Sequence, residues 1–340
     1  MTTILEYAQL SGHVYKPQHN HYRGLIIKKM SLVDLMKSAL SGWYQITNVD
    51  PHMHAFHHYF AALYLKYHNG KPIDAVIAIR GTVVSLIDND IQDVMGWWAD
   101  ALSKGEFDRL PWYVHPIWSF VHKCLAVIRK LNLPLTFTGH SLGGAIAQVM
   151  SLTIQSFPVI SFNAPGCGHM PGVEPSRDNM IRNINARYGF INKIGLVLGK
   201  IYYVDVPNME AQAKRIFEQY KDILANQKQH THDDFWHNTQ HTLTTYYDAF
   251  EALTSDVPAS ACQPIHYGTG IQRSLSYLGQ AACRDAATTK SKMALLGKVI
   301  VAQHAIEHLV ETLKTTSYRA LAQRGCCITS VAKKFEAKSD

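Results

Sequence analysis

The chain has 340 residues, of which 47% are hydrophobic, and a formal net charge of +7 at pH 7. This length suits one large α/β domain with an extension, and the hydrophobic content is enough for a sizeable core. The positive charge suits an anionic surface, but the basic residues are spread along the chain. That spread excludes a dedicated nucleic-acid stripe and leaves peripheral contact with a membrane surface as the expectation.

The sequence has no apolar run long enough to cross a bilayer, so we predict no transmembrane segment. The N-terminus lacks a basic region followed by an apolar one, so we predict no cleavable signal peptide. The six cysteines show neither metal nor disulfide spacing. We therefore expect a cytoplasmic protein, or one exported without a cleavable signal, that needs no metal or other cofactor. The oligomeric state is left open.

The first elements predicted in chain order are two short helices, over 4–10 and 32–43. Two β-suited runs, 59–67 and 73–79, then flank Asn69-Gly70, which is a strong signal for a hairpin turn. Further strands and helices alternate up to about residue 255. The strands are predicted over 133–138, 157–162, 180–187 and 200–206, and the helices over 111–131, 144–156, 209–228 and 241–253.

This alternation predicts an α/β fold with a mostly parallel sheet flanked by helices. We assign residues 1–255 to that domain. Residues 256–340 read as a helical C-terminal extension, with helices over 271–284 and 288–323 and a mobile basic tail. The C-terminal helix is expected to be a packing element or an oligomer contact.

The segment Gly139-His140-Ser141-Leu142-Gly143 lies between a predicted strand and a predicted helix. In that context the pattern GxSxG indicates a nucleophile elbow, in which a strained turn exposes the serine hydroxyl at a helix N-terminus. Ser141 is therefore the candidate nucleophile. The backbone N–H of Leu142 is a candidate donor to a developing oxyanion, and the N–H of Thr82, which follows a buried strand and Gly81, is the second.

These residues resemble the fungal-type, class 3 lipases of the α/β-hydrolase superfamily. The matching segments are 79–82, 96–100, 114–115, 137–144 and 161–166, in the order and spacing of that family. The resemblance implies an α/β-hydrolase fold, with Thr82 and Leu142 in the oxyanion hole and Asp100 helping to orient that side of the site. It also implies a lid after Thr82. Residues 86–98 support the lid because apolar side chains alternate there with acidic ones.

A serine nucleophile needs an imidazole that takes its proton. The candidates downstream of Ser141 are His230, His232, His237 and His241. His241 opens an apolar helix, as the family's histidine does, and is the preferred base. His230 is the main rival because its surroundings resemble those of the histidine in some fungal members.

The third member of a triad is a carboxylate that orients the imidazole. Here the chain departs from the family, because Gly189 stands where the family has its catalytic Asp. Asp205, at the end of the next predicted strand, is the candidate for a relocated acid. Otherwise Ser141 and His241 act as a dyad, or activity is strongly reduced.

The sequence therefore predicts hydrolysis of the carboxylic esters of lipids, of lipase or phospholipase A type, through an acyl-enzyme on Ser141. One alternative is a lipid-binding or membrane-docking pseudoenzyme whose catalysis is impaired by Gly189. The other is a thioesterase or esterase acting on soluble substrates.

Overall fold

The structure of the protein is a computed structural model. It describes residues 2–36, 40–47, 49, 60–81, 114–167, 179–187, 189, 192, 197–209, 211 and 304–316. The helices of this part are α1 (Ile4–His13), α2 (Val114–Leu131), α3 (Leu142–Ile154) and α4 (Ile306–Thr315), with a 3-10 helix at Leu32–Met36. The strands are β1 (His21–Tyr22), β2 (Leu25–Met30), β3 (Gly42–Ile46), β4 (Ala61–His68), β5 (Lys71–Ile79), β6 (Leu135–His140), β7 (Val159–Phe162), β8 (Ile181–Ala186) and β9 (Lys200–Val204).

The described strands form one nine-stranded sheet in which spatial order follows chain order. Strands β5 to β9 are parallel to one another, whereas β4 pairs antiparallel with both β3 and β5. Parallel strands covered on both faces read as continuous apolar runs, and the last six residues of β5 are all buried. The carboxyl ends of β5 to β9 therefore meet at one edge of the sheet, which is where ligands bind in open α/β sheets.

Each face of the sheet carries its own apolar core. On one face α3 packs on β5, β6 and β7, and α2 packs on β4 and β5. The core there contains Ile77, Phe137 and Met150, each fully buried. On the other face α1 packs on β5, β6 and β7, and α4 packs on α1 and β9. Leu10 and Leu309 are fully buried in this second core.

The hairpin prediction is confirmed. Strands β4 and β5 are joined by Asn69 and Gly70, with φ values of 49° and 76°, and both residues tolerate this left-handed region.

The predicted helix over 32–43 is wrong. Residues 32–36 form a 3-10 helix, and Gly42, at φ 88°, begins strand β3 with Trp43 inside it. Trp43 is buried against the α1 side of the sheet, so pairing with β2 and β4 decides its conformation.

The C-terminal prediction of one continuous helix over 288–323 is also wrong. Ala305 has φ −58° and ψ 132°, which is not helical, so α4 begins at Ile306 and ends at Thr315. The predicted helices over 209–228, 241–253 and 271–284 reach outside the described residues. Cys124 and Cys167 are buried and form no disulfide, as expected of core thiols.

Candidate active site

Ser141 lies at the turn that joins β6 to α3, in the strand–turn–helix order that the sequence predicts. Its backbone has φ 58° and ψ −135°, a conformation that costs a residue with a Cβ of the order of 1–3 kcal/mol. The turn is held by its own hydrogen bonds. The Ser141 N–H donates to the carbonyl of Phe162 at 3.0 Å, and the Ser141 carbonyl accepts from Gly144 N–H at 2.9 Å. Ser141 is half-buried at the carboxyl edge of the sheet.

The glycines around Ser141 allow the close approach of strand, turn and helix. A Cβ on Gly139 would lie 2.5 Å from the carbonyl carbon of Gly143. A Cβ on Gly143 would lie 2.6 Å from the carbonyl carbon of Arg80. Both contacts are with backbone, which cannot move aside, so the tight corner between β5, β6 and α3 requires glycine at these two positions.

The predicted oxyanion side of the site begins at Gly81, two residues after the end of β5. A Cβ placed on Gly81 would lie 3.1 Å from the Ser141 Cβ, so this backbone passes directly beside the candidate nucleophile. The Gly81 N–H donates to Tyr15 Oη at 3.1 Å. Leu142 begins α3, where the first N–H groups of a helix have no intrahelical acceptor and the helix dipole favours negative charge. Leu142, the predicted oxyanion donor, lies at this helix N-terminus, and its role stays a prediction. Thr82 lies outside the described residues.

His140, the residue before Ser141, is buried in a hydrogen-bonded chain. Its Nε2 lies 2.7 Å from the carbonyl oxygen of His304 and its Nδ1 lies 3.1 Å from Tyr15 Oη. Because a carbonyl only accepts, Nε2 carries the proton, and Nδ1 accepts from the Tyr15 hydroxyl. The Tyr15 oxygen in turn accepts from Gly81 N–H. Burial lowers the pKa of His140 to about 4, which keeps this ring neutral.

Buried polar side chains brace the sheet beneath the elbow on the α3 face. Gln148 of α3 donates to Ser161 Oγ at 3.1 Å and to Asn183 Oδ1 at 2.9 Å, and Ser161 donates to Asn183 Oδ1 at 2.7 Å. The Cys167 thiol donates to Gln148 Oε1 at 3.3 Å. Burial raises the pKa of this thiol to about 12, so it is no nucleophile. These bonds fix α3, β7 and β8 relative to one another.

After β8, the side-chain amide of Asn192 lies beside Gly189, where the family resemblance implies a carboxylate. A Cβ on Gly189 would lie 2.6 Å from Nδ2 of Asn192. That buried amide donates to Asn163 Oδ1 at 3.0 Å and to the Ala186 carbonyl at 2.9 Å. Asn192 therefore fills the space in which a side chain at 189 would start, and an Asp introduced there would have to displace it.

Asp205 follows β9 at the same edge of the sheet and lies beside Arg187, which follows β8. The Arg187 Nε lies 2.5 Å from Asp205 Oδ1. The Arg187 guanidinium also lies 5.7 Å from the centre of the Tyr203 ring. The Asp205 side chain is 44% exposed, so the carboxylate remains accessible at the edge of the sheet.

Several predicted site residues lie outside the described residues. They are Thr82, Asp100, His230, His232, His237 and His241, together with the predicted lid over 86–98. Their roles stay predictions. Within the described part of the chain, no group of three metal-ligating side chains is close enough to hold an ion, and no helix is long and apolar enough to cross a membrane.

One residue near the site was missed by sequence reasoning. The ring of His304 packs against the ring of His140, with 4.6 Å between centroids and 32° between planes. Residue 304 lies in the C-terminal extension, inside a stripe of apolar positions that predicts a continuous packing helix. The signal that could have found it is a histidine directly before a helix with an apolar face, since the same pattern singled out His241.

A family model described as lipase (class 3) matches residues 30–169. Among solved structures, the chain is similar to a mutant form of MDLA from Penicillium cyclopium, with 14% identity and a TM-score of 0.35 over 60% of this chain and 80% of that one. It is also similar to a fungal lipase, with 13% identity and a TM-score of 0.35 over 60% of this chain and 78% of that one. No curated protein matches the chain.

The family match covers β3 to β7, Ser141 and the two glycines that shape its turn. The described sheet, with its parallel strands, its flanking helices and a serine on a strained strand-to-helix turn, is that of an α/β-hydrolase. Residues 30–169 of this chain are therefore similar to the class 3 lipases, both in sequence and in the turn that carries Ser141.

Proposed function

We propose that the protein hydrolyses carboxylic esters of lipids through an acyl-enzyme formed on Ser141. The observation that carries this proposal is the strained backbone of Ser141, with φ 58° at the carboxyl end of β6 and the N-terminus of α3. Strain of this kind persists only where the surrounding structure enforces it, and it is concentrated at functional sites. The glycine contacts and the hydrogen bonds of the turn enforce it here.

In the proposed reaction the Ser141 Oγ attacks the ester carbonyl while an imidazole takes its proton. The negative charge that develops on the carbonyl oxygen is held by the N–H of Leu142 and the N–H of Thr82. The intermediate then expels the alcohol, which takes the proton back from the imidazole. Water hydrolyses the acyl-enzyme by the same steps and restores the free serine. The sequence predicts His241 as the imidazole, and Asp205 is proposed as the carboxylate that orients it.

The net charge of the chain and the predicted lid support a lipid surface as the place where the protein acts. A net charge of +7 favours contact with anionic headgroups, and the amphipathic segment 86–98 suits a cover that opens at an interface. Both remain proposals.

The experiment is turnover of p-nitrophenyl esters of graded chain length, with Ser141→Ala as the control. We expect hydrolysis that is lost in the variant, and a rise in rate once the substrate passes its micellar threshold. Hydrolysis without that rise would favour an esterase or thioesterase on soluble substrates. Equal activity in Ser141→Ala would contradict the proposal.

A specific observation favours a second candidate, a lipid-binding protein with impaired catalysis. The place of the family's carboxylate is filled by the Asn192 amide, and loss of the acid from a triad costs about 10⁴-fold in turnover. Binding to vesicles of mixed neutral and anionic phospholipid, without hydrolysis of any ester in the series, would identify this alternative.

A further inference from the structure

The histidine nearest to Ser141 in the sequence cannot take its proton. Both ring nitrogens of His140 are already engaged, Nε2 with the carbonyl of His304 and Nδ1 with the hydroxyl of Tyr15. A general base needs a free lone pair within reach of the proton that it removes. His140 therefore positions other groups, and the base is a different imidazole.

His304 is half-buried, and both of its ring nitrogens are available. Neither its Nδ1 nor its Nε2 has a hydrogen-bond partner, although both atoms are shielded from solvent. Within the described part of the chain, the fully buried histidines are His13 and His140, and each of these uses both nitrogens. A buried imidazole that makes no hydrogen bond costs free energy of the order of 1–3 kcal/mol, which calls for an explanation.

The surroundings of His304 hold it beside the nucleophile turn. Its ring lies 4.6 Å from that of His140, and its carbonyl accepts the His140 Nε2–H at 2.7 Å. Two residues later begins α4, which is anchored in the core through the fully buried Leu309 and Val310. His304 thus lies just before an anchored helix, with its ring packed against the residue that precedes Ser141.

We propose that His304 is the general base that takes the Ser141 proton, in place of His241. This assignment rests on the proposed acyl-enzyme mechanism. As the Oγ–carbon bond forms, the Oγ–H bond breaks and its proton moves to a free nitrogen of His304. When the ester C–O bond breaks, that proton passes to the leaving alcohol, and attack by water repeats the cycle with no other reactant.

Two further facts agree with this role. Burial and the neighbouring His140 lower the pKa of His304 well below its usual value, so at neutral pH the ring is uncharged and one nitrogen has a lone pair to offer. Neither nitrogen is hydrogen-bonded to Ser141 in the substrate-free chain, and catalytic hydrogen bonds commonly tighten only when substrate binds.

The test compares His304→Ala with His241→Ala and with His308→Ala, a control at an exposed position one turn further along α4. We expect His304→Ala to lower kcat by about 10³-fold or more with KM changed less than about twofold, as for loss of a catalytic base. Added imidazole should restore part of the rate, because it can enter the space that the ring leaves. His308→Ala should keep kcat within about threefold of the parent, and added imidazole should not raise the rate of His241→Ala.

A loss of kcat in His241→Ala that imidazole rescues, with normal turnover in His304→Ala, would overturn the assignment. If His304→Ala does not fold, His304→Gln at an unchanged melting midpoint decides in its place. Loss of kcat in that variant supports the base, and normal kcat overturns it. Failure of the mechanism itself has a different signature, because Ser141→Ala would then be as active as the parent.

Discussion

Tyr15 connects the first helix to the oxyanion side of the site. Its hydroxyl accepts from Gly81 N–H at 3.1 Å and donates to His140 Nδ1 at 3.1 Å. Gly81 precedes the predicted donor Thr82, so Tyr15 positions the strand end from which that donor comes. Tyr15 itself lies outside the segment that matches the family, which begins at residue 30.

Replacing Tyr15 by Phe removes both of these hydrogen bonds while keeping the ring. We expect kcat to fall about 10- to 100-fold with KM nearly unchanged, less than the loss from deleting an oxyanion donor outright. Tyr7→Phe is the matched control, because Tyr7 is on α1, which ends two residues before Tyr15, and its hydroxyl donates at 3.2 Å to Thr136 Oγ1 of β6, the strand that also carries His140. Equal kcat in Tyr15→Phe and Tyr7→Phe, measured on one ester, would contradict a positioning role.

Asp205 is either the orienting acid or only the partner of Arg187. As the acid, it should give an Asp205→Asn variant with a kcat about 10²- to 10⁴-fold lower, whereas Arg187→Gln should lose much less. Both variants disrupt the 2.5 Å contact between Arg187 and Asp205, but only Asp205→Asn also removes the carboxylate. A larger loss of kcat in Asp205→Asn therefore identifies an orienting acid. Steady-state rates that fall equally in both would mean that Asp205 serves only to pair with Arg187.

At the scale of elements, the parallel part of the sheet could be predicted because its strands alternate with helices along the chain, and because most residues of β5 and β7 are apolar. Strands β6 to β9 lie within two residues of the predicted ones. Strands β1 to β3 are not among the predicted strands. Strand β2 mixes exposed lysines with buried apolar residues, and β3 forms only because β2 and β4 pair with it on either side.

The residues of the candidate site also differ in whether a local sequence pattern predicts them. Ser141 and Leu142 follow from a local pattern of strand, glycine turn and helix. His304 depends on the packing of α4 against α1, which brings residues from the two ends of the chain together. No local sequence pattern encodes such a contact. Likewise, the amide of Asn192 beside Gly189 is a tertiary contact.

Leu309 of α4 is fully buried in the core that α1 and α4 share with the sheet, so its truncation tests the packing of α4. Leu309→Ala should lower the free energy of unfolding by about 2–5 kcal/mol, as buried leucines do when truncated. Val33→Ala, at an 87% exposed position, should change it by less than about 0.5 kcal/mol. Urea unfolding of both variants checks this, and a Leu309→Ala midpoint equal to that of Val33→Ala would mean that α4 is not part of the core.

At the scale of the whole molecule, the buried histidines make stability depend on pH. The pKa of His140 is lowered from 6.5 to about 4, and burial also lowers the pKa values of His13 and His304. Below pH 6.5 the unfolded chain therefore binds protons that the folded chain does not. Their contribution to stability is complete above pH 6.5 and is lost as the pH falls towards 4.

We expect the free energy of unfolding to decrease as the pH falls from 6.5 to 5, by up to about 1.4 kcal/mol per pH unit for each such histidine. His140→Gln should be less stable at every pH but should show a shallower decline, because one of these groups is gone. Urea titrations at several pH values measure both slopes. A parent protein that is equally stable at pH 7.5 and pH 5 would show that these rings are not buried in the neutral form.

The whole account depends on a reactive hydroxyl at Ser141. The most direct measurement is labelling of the folded protein with a fluorophosphonate, followed by mass spectrometry to locate the phosphonylated residue. We predict prompt labelling at Ser141, slowed in His304→Ala and absent from Ser141→Ala. Folded protein that takes no label, or that takes it at another residue, would contradict the claim that this serine is the nucleophile.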